Sequence, residues 1–253
     1  MDRLVFTSSA TIKEQGTARH VLVNDLANVS TVGFKSSYDV ALTSVKVDGA
    51  GFATRYQAQS MARDTIRLDS GPIVATGRPL DVAMGAEAVL TVQAPNGEQA
   101  FTRRGDLRVN IQGQLENGSG HLVLGEGGPI AIPPGLFVSI NSDGSIYARD
   151  PAQVGPAPDV PIGQLRLRDA STVSLSRRED GLFKVSGKPN GTDIAATDQL
   201  PQVIPGALEG SNVSAIEAMT RLIDHSRSFE SQIRIIKEMK GLDESGASMM
   251  KAA

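Results

Sequence analysis

The chain has 253 residues, 40% of them hydrophobic, with 26 Gly, 13 Pro, no Cys and a formal net charge of -3. That is enough apolar material for a buried core, in one large domain or two small ones. The lack of cysteine excludes disulfides, thiolate metal sites and Cys nucleophiles, and the scattered basic residues leave no nucleic-acid footprint.

The chain begins Met1-Asp2-Arg3-Leu4-Val5-Phe6 and shows no basic region followed by an unbroken apolar run. No cleaved secretory signal is therefore expected. No segment approaches the roughly 18 apolar residues of a membrane span. Residues 3–28 are predicted to be helical: Leu4, Val5, Ile12, Ala18, Leu22, Leu26 and Val29 recur near helical spacing. The stripe is narrow, and Gly16 within it costs about 1 kcal/mol relative to Ala. Such a helix needs a partner. Asn28, Ser30 and Thr31 compete with helix by bonding nearby backbone. Gly33 supplies a stop, and Phe34 is an apolar anchor just beyond it.

Residues 36–75 are polar and irregular, an extended linker with some strand and a turn at Asp48-Gly49-Ala50-Gly51. Residues 76–200 are predicted to be all-β. Asn96-Gly97, Gln112-Gly113, Asn117-Gly118, Asp143-Gly144, Asp180-Gly181 and Asn190-Gly191 punctuate short β-prone runs in the manner of hairpin turns. The predicted strands are 89–93, 99–102, 107–110, 122–124, 137–140, 146–149, 163–167 and 183–185. Pro151, Pro156, Pro158 and Pro161 mark a surface loop.

Residues 212–240 are predicted to form a second helix, with Ser211 or Asn212 as N-cap. Ala215, Met219, Leu222, Ser226, Phe229, Ile233 and Ile236 step by four and three, a coiled-coil seam of about three heptads. Ile216, Ile223 and Ile235 widen the stripe beyond the needs of one partner helix. Gly241 is the expected stop, followed by a frayed tail.

No catalytic or metal constellation emerges. His20, His121 and His225 lack ligand spacing. Gly125-Glu126-Gly127-Gly128 runs into Pro129 rather than a helix, so it fits a turn better than a phosphate loop. Gly118-Ser119-Gly120 lacks the spacing of a nucleophile elbow. Glu179 and Asp180 are adjacent and point apart on a strand.

The stretch from Asn24 to Lys35 resembles the N-terminal signature of the flagellar rod and hook family, at Asn24, Leu26, Ala27, Asn28, Thr31, Gly33, Phe34 and Lys35. Leu208-Glu209-Gly210-Ser211-Asn212-Val213, followed by the helix with Arg227, Phe229 and Glu230, resembles the family's C-terminal segment. Between them Gly71-Pro72, Thr76-Gly77-Arg78-Pro79-Leu80-Asp81-Val82-Ala83, Pro95-Asn96-Gly97, Phe101-Thr102-Arg103-Arg104-Gly105 and Gly113-Gln114-Leu115 follow in the family's order. Length, the Met1-Asp2-Arg3 start and Asp180-Gly181-Leu182-Phe183 favour its proximal-rod branch. One departure stands out: Ala86-Glu87-Ala88 occupies the place where the family often has Gly-Asp-Gly followed by aromatics, which bears on local turn geometry.

The resemblance implies a mainly β protein with terminal α-helices. Residues 1–35 and 206–253 would form a helical coiled-coil domain, 36–75 a linker, and 76–205 an outer β-rich domain. It implies a structural subunit of the bacterial flagellar basal-body rod, not an enzyme, with no cofactor and no small-molecule substrate. Its partners would be itself, other rod subunits and the flagellar export apparatus, which would export it without a cleaved signal to the periplasm-spanning rod. Asn24, Leu26, Ala27, Asn28, Thr31, Gly33, Phe34, Lys35, Glu209, Gly210, Ser211, Asn212 and Val213 would be the assembly motif. Leu4, Ile12, Leu22, Met219, Leu222, Phe229, Ile233 and Ile236 would pack the helices. Two other readings fit less well: a distal-rod or hook subunit, and a β-rich enzyme or binding module whose terminal helices merely close the domain.

Overall fold

The computed structural model describes residues 12, 16, 18–46, 56–151, 160–197 and 201–251. The protein is mainly β, with a helix at each end. Helix α1 covers 18–27, with 12 and 16 also helical; Leu4 and Val5 lie outside the described residues, as do the expected turn at Asp48-Gly49 and most of the proline-rich loop. Among the described residues eighteen strands follow, from β1 (Tyr38–Lys46) and β2 (Tyr56–Asp64) to β17 (Val203–Pro205) and β18 (Ala207–Glu209), and then helix α2 (Ala215–Lys251). The chain divides into two compact units. One contains α1, the β1–β2 hairpin and α2; the other contains Asn28–Ser37 and Asp64–Val213.

The second unit is built on a nine-stranded sheet. Its centre is β5 (Ala88–Gln93), with β6 (Gln99–Thr102) on one side and β9 (Leu122–Gly125) on the other. Five of the six β5 residues are buried, as expected for a strand covered on both faces. Its alternation separates two cores. Ala88, Leu90 and Val92 face one cluster with Ile140, Ile146, Val82, Met84 and Val203. Val89 joins Phe101, Leu175, Phe183, Val185 and Ile66 in the other. The first core is closed by a three-stranded sheet, β11 (Phe137–Ile140), β12 (Ser145–Arg149) and β13 (Val160–Gln164), and by the pairing of β17 with β4 (Val82–Met84).

β6, β11 and β16 (Phe183–Val185) fall on their predicted bounds. The single strand expected over 163–167 is two: β13 ends at Gln164, and β14 (Leu167–Asp169) joins a different sheet. The intervening Leu165 and Arg166 carry the chain between them. The linker is more ordered than its sequence suggests, since β1 pairs with β2 and β3 (Ile73–Ala75) pairs with β18. Turn geometry survives at the family departure: Ala86 adopts φ of 39°, the left-handed region that L-residues other than Gly, Asn and Asp seldom enter.

Helix α2 departs from expectation at both ends. Ser214 is its cap, its Oγ accepting from Glu217 N at 3.4 Å; Ser214-Ala215-Ile216-Glu217 has the capping-box pattern. Ser211 accepts from Val213 N instead. The helix also runs through Gly241 to Lys251. A glycine ends a helix when it turns left-handed, and Gly241 does not.

Candidate functional site

The two signature segments meet. Strand β18 pairs with β3, placing Glu209 opposite Ile73. Alternation turns Glu209 inward with Ala207. Past α1, Thr31 N bonds Asn28 O and Phe34 N bonds Thr31 O, tightening 28–34 into successive turns. Gly33 then donates from its N to Glu209 O at 2.7 Å. Its φ is 67°, and a Cβ there would lie 2.5 Å from Arg103 C and 2.6 Å from Arg104 N. Both features demand glycine.

This turn delivers Lys35 into the interior. Its Nζ donates to Glu209 Oε1 at 2.7 Å and to Asp69 O at 2.6 Å. Arg103, just past β6, donates from Nε to the other oxygen, Oε2, at 2.7 Å. Its Nη1 donates to Ala86 O and Ala88 O, and its Nη2 to Met84 O. Gly71 N completes the shell at 3.0 Å from Glu209 Oε1. Lys35 and Arg103 are 0% exposed and Glu209 is 1% exposed. Two cations thus share one buried carboxylate, and backbone carbonyls absorb the surplus positive charge. Burial lowers the Lys35 pKa below 10.5; its bond to Glu209 opposes the shift, and the neighbouring Arg103 charge adds to it.

The flanking residues lock the same region. Asn212 accepts from Ser36 N at 2.8 Å through Oδ1 and donates to Arg67 O at 2.9 Å through Nδ2. Its own N bonds Phe34 O. Gly210 N bonds Pro72 O, and the Arg177 guanidinium sits 4.5 Å from the Phe34 ring centre while Nη2 donates to Lys35 O. The structure therefore brings together Thr31, Gly33, Phe34, Lys35, Glu209, Gly210 and Asn212, and adds Arg103 and Gly71. The role of Arg103 was not read from sequence. Its signal was a glutamate in the otherwise apolar segment 203–209, which requires a buried cation.

Asn24 and Ala27 lie exposed on α1, and Leu22 and Leu26 are half-buried. Ile12, Gly16 and Arg19 of α1 line a cavity of about 110 Å³ with Leu222, His225, Ser226 and Phe229 of α2. In α2 the most covered positions are Ala215, Ala218, Leu222, His225, Gln232, Ile233, Ile236 and Met239, among them Ala215, Leu222, Ile233 and Ile236 of the predicted seam. Met219 is instead 52% exposed, and Ile216 and Ile223 are exposed with it. Ile233 is half-buried and Phe229 exposed. Among the described residues no helix is long and apolar enough to cross a membrane.

The family model for the flagellar hook protein FlgE/F/G D1 domain matches residues 85–148, and that for the flagellar basal body rod FlgEFG protein C-terminal region matches 204–249. The chain is 37% identical to the flagellar basal-body rod protein FlgF of Salmonella typhimurium over 240 residues, 93% of each chain. It is 36% identical to FlgF of Escherichia coli, covering 94% of each. Against the flagellar basal-body rod protein FlgG of Caulobacter vibrioides it is 27% identical, covering 91% of this chain and 92% of that one.

Proposed function

This chain belongs to the flagellar basal-body rod protein family, as a structural subunit of the rod that assembles with other flagellar rod and hook proteins, and from that premise we propose that it polymerises through its terminal helices. The observation that carries this reading is the apolar surface of α2. Ile216, Met219 and Ile223 recur at spacings of three and four, and Ile216 is 80% exposed in the single chain. A helix apolar on more than one face buries the remainder against other helices. In the rod, α1 and α2 pack as a coiled coil with each other and with helices of neighbouring subunits. Repeated head-to-tail contacts of this kind build a helical tube.

In this reading residues 1–35 and 206–253 form the tube wall, 36–75 link, and 76–205 stand outside it. Asn24, Leu26, Ala27, Asn28, Thr31, Gly33, Phe34, Lys35 and Glu209–Val213 set the junction. The subunit travels through the flagellar export apparatus without a cleaved signal. It occupies the proximal rod, performs no catalysis, and binds no cofactor, nucleic acid or small-molecule substrate in doing so.

The test is an Ile216→Asp, Ile223→Asp double variant expressed in a strain lacking the native subunit. The expected result is an exported, folded monomer that does not enter rods, and non-motile cells. Normal rod incorporation overturns the proposal. A distal-rod or hook role is the second reading, favoured by the similarity to FlgG. Complementation of strains lacking the proximal or the distal subunit separates the two.

A further inference from the structure

The chain carries three Asn-Gly pairs, at 96–97, 117–118 and 190–191, and their surroundings differ. Asparagine before glycine is prone to lose its side-chain ammonia, because glycine leaves the next backbone nitrogen unhindered. Pro95-Asn96-Gly97 and Pro189-Asn190-Gly191 are the same tripeptide, and both asparagines are exposed. Asn96 sits in the closed turn between β5 and β6. Gly97 N donates to Ala94 O at 2.9 Å, and Ala94 N donates to Glu98 O at 2.8 Å. The Asn96 amide is held at both atoms: Nδ2 donates to Glu98 Oε2 at 2.6 Å, and Oδ1 accepts from Glu98 N at 3.1 Å. Asn117 is 1% exposed, and its Oδ1 accepts from Ser119 N and His121 N, both at 3.0 Å. Asn190 and Gly191 lie between β16 and β17, which belong to different sheets, so their turn closes no hairpin. Thr192 Oγ1 donates to Pro189 O across it at 2.8 Å. Neither the Asn190 amide nor Gly191 N makes a hydrogen bond among the described residues.

We propose that Asn190 is a site of spontaneous deamidation in the folded protein, and that its twin at Asn96 is protected by the turn it closes. Gly191 N gives up its proton to water and bonds to Asn190 Cγ. The Cγ–Nδ2 bond breaks, and the side-chain nitrogen takes up a proton and leaves as ammonia. Water then opens the resulting cyclic imide at either carbonyl, to aspartate or to isoaspartate. Nothing is oxidised or reduced, and water is the only co-reactant. The same attack at Asn96 requires Gly97 N to leave Ala94 O and the amide to leave Glu98. Conversion at Asn190 adds a negative charge to a groove that Lys184 also lines, so the surface charge of the subunit changes with age. This assignment concerns the β-rich unit and does not depend on polymerisation through the helices.

The test incubates the folded, full-length protein in mildly alkaline buffer and follows each Asn-Gly site by peptide mass spectrometry, beside the same protein unfolded in urea. In urea Asn96 and Asn190 are expected to convert at similar rates, since their tripeptides are identical. In the folded protein Asn190 is expected to convert about tenfold or more faster than Asn96, because reaction at Asn96 must first break its hydrogen bonds. Asn117 is expected to lag behind Asn190 as well. Asn190→Gln is expected to abolish the leading deamidated peptide and leave Tm unchanged, since the longer side chain closes a larger, less favourable ring. Asn96 or Asn117 converting as fast as Asn190 in the folded protein overturns the assignment. So does an Asn190 that stays intact while the unfolded chain converts.

Discussion

Glu209 and Lys35, separated by 174 positions in the chain, meet at 2.7 Å where neither side chain reaches solvent. One lies in each half of the family signature. The signature is therefore the two sides of a single buried ion cluster, completed by Arg103 at 2.7 Å. An assembly subunit needs its terminal segments placed reproducibly, and this cluster ties the segment after α1 to the segment before α2.

Glu209→Gln is expected to be the most damaging change here. It leaves Lys35 and Arg103 buried around a neutral amide, and removing one partner of a buried ion pair costs about 3–5 kcal/mol. Lys35→Met removes the surplus cation, keeps the Arg103–Glu209 pair, and leaves Asp69 O short of one donor; about 1–3 kcal/mol is expected. Urea unfolding of the purified monomers measures both. Equal losses would show that the carboxylate is not the hub.

Gly33→Ala brings a Cβ into the Arg103–Arg104 peptide at a left-handed φ. The conformational cost and the overlap together amount to about 3 kcal/mol or more. Denaturant unfolding that reads less than about 1 kcal/mol would mean the turn can open away from Arg103.

Ala86→Gly works in the opposite direction. Ala86 holds φ of 39° because Arg103 Nη1 grips its carbonyl at 2.6 Å. Glycine adopts that conformation without strain, so a gain of about 1 kcal/mol is expected, partly offset by the greater freedom of glycine in the unfolded chain. A rise in Tm checks it; a fall shows that the turn carries no strain.

Asp193 provides a pH-dependent contribution. Burial opposes its ionisation, but hydrogen bonds and charges from Arg168 and Arg166, with Gln99, outweigh this and hold its pKa below 3.8. Between the lowered folded value and the unfolded one, the unfolded chain binds more protons, so stability rises with pH there. The contribution is complete above 3.8 and disappears as pH falls through the folded value. The Tm gap between wild type and Asp193→Asn is expected to be constant near neutrality and to close in acid. A gap that widens on acidification contradicts the assignment.

Much of the β-rich unit was legible in the sequence because its signals are local. Asn96-Gly97 and Asp143-Gly144 close β5–β6 and β11–β12, and β6, β11 and β16 match their predicted runs. The break at Leu165-Arg166 was not legible, since nothing in five consecutive β-prone residues says that two sheets compete for them. Which positions of the α2 stripe are covered within one chain was only partly legible for a related reason. Periodicity shows that a face is apolar, but Ala218 and His225 are covered while Met219 is exposed, a choice made by what lies opposite. The run through Gly241 reflects a glycine's cost of about 1 kcal/mol in a helix interior, small beside the cooperativity of a 37-residue helix.

The sequence by itself determined the class of the protein: hairpin turns, short alternating strands, a striped helix at each end, and a two-part signature dense enough to identify the family. These depend on residues within a few positions of each other. Only the tertiary structure decided that Lys35, Arg103 and Glu209 form one cluster and that Asn212 joins Ser36 to Arg67. Burial of a charge is tolerated only where an opposite charge and backbone dipoles converge on it, and that convergence is set by how β3, β6 and β18 pair across the chain.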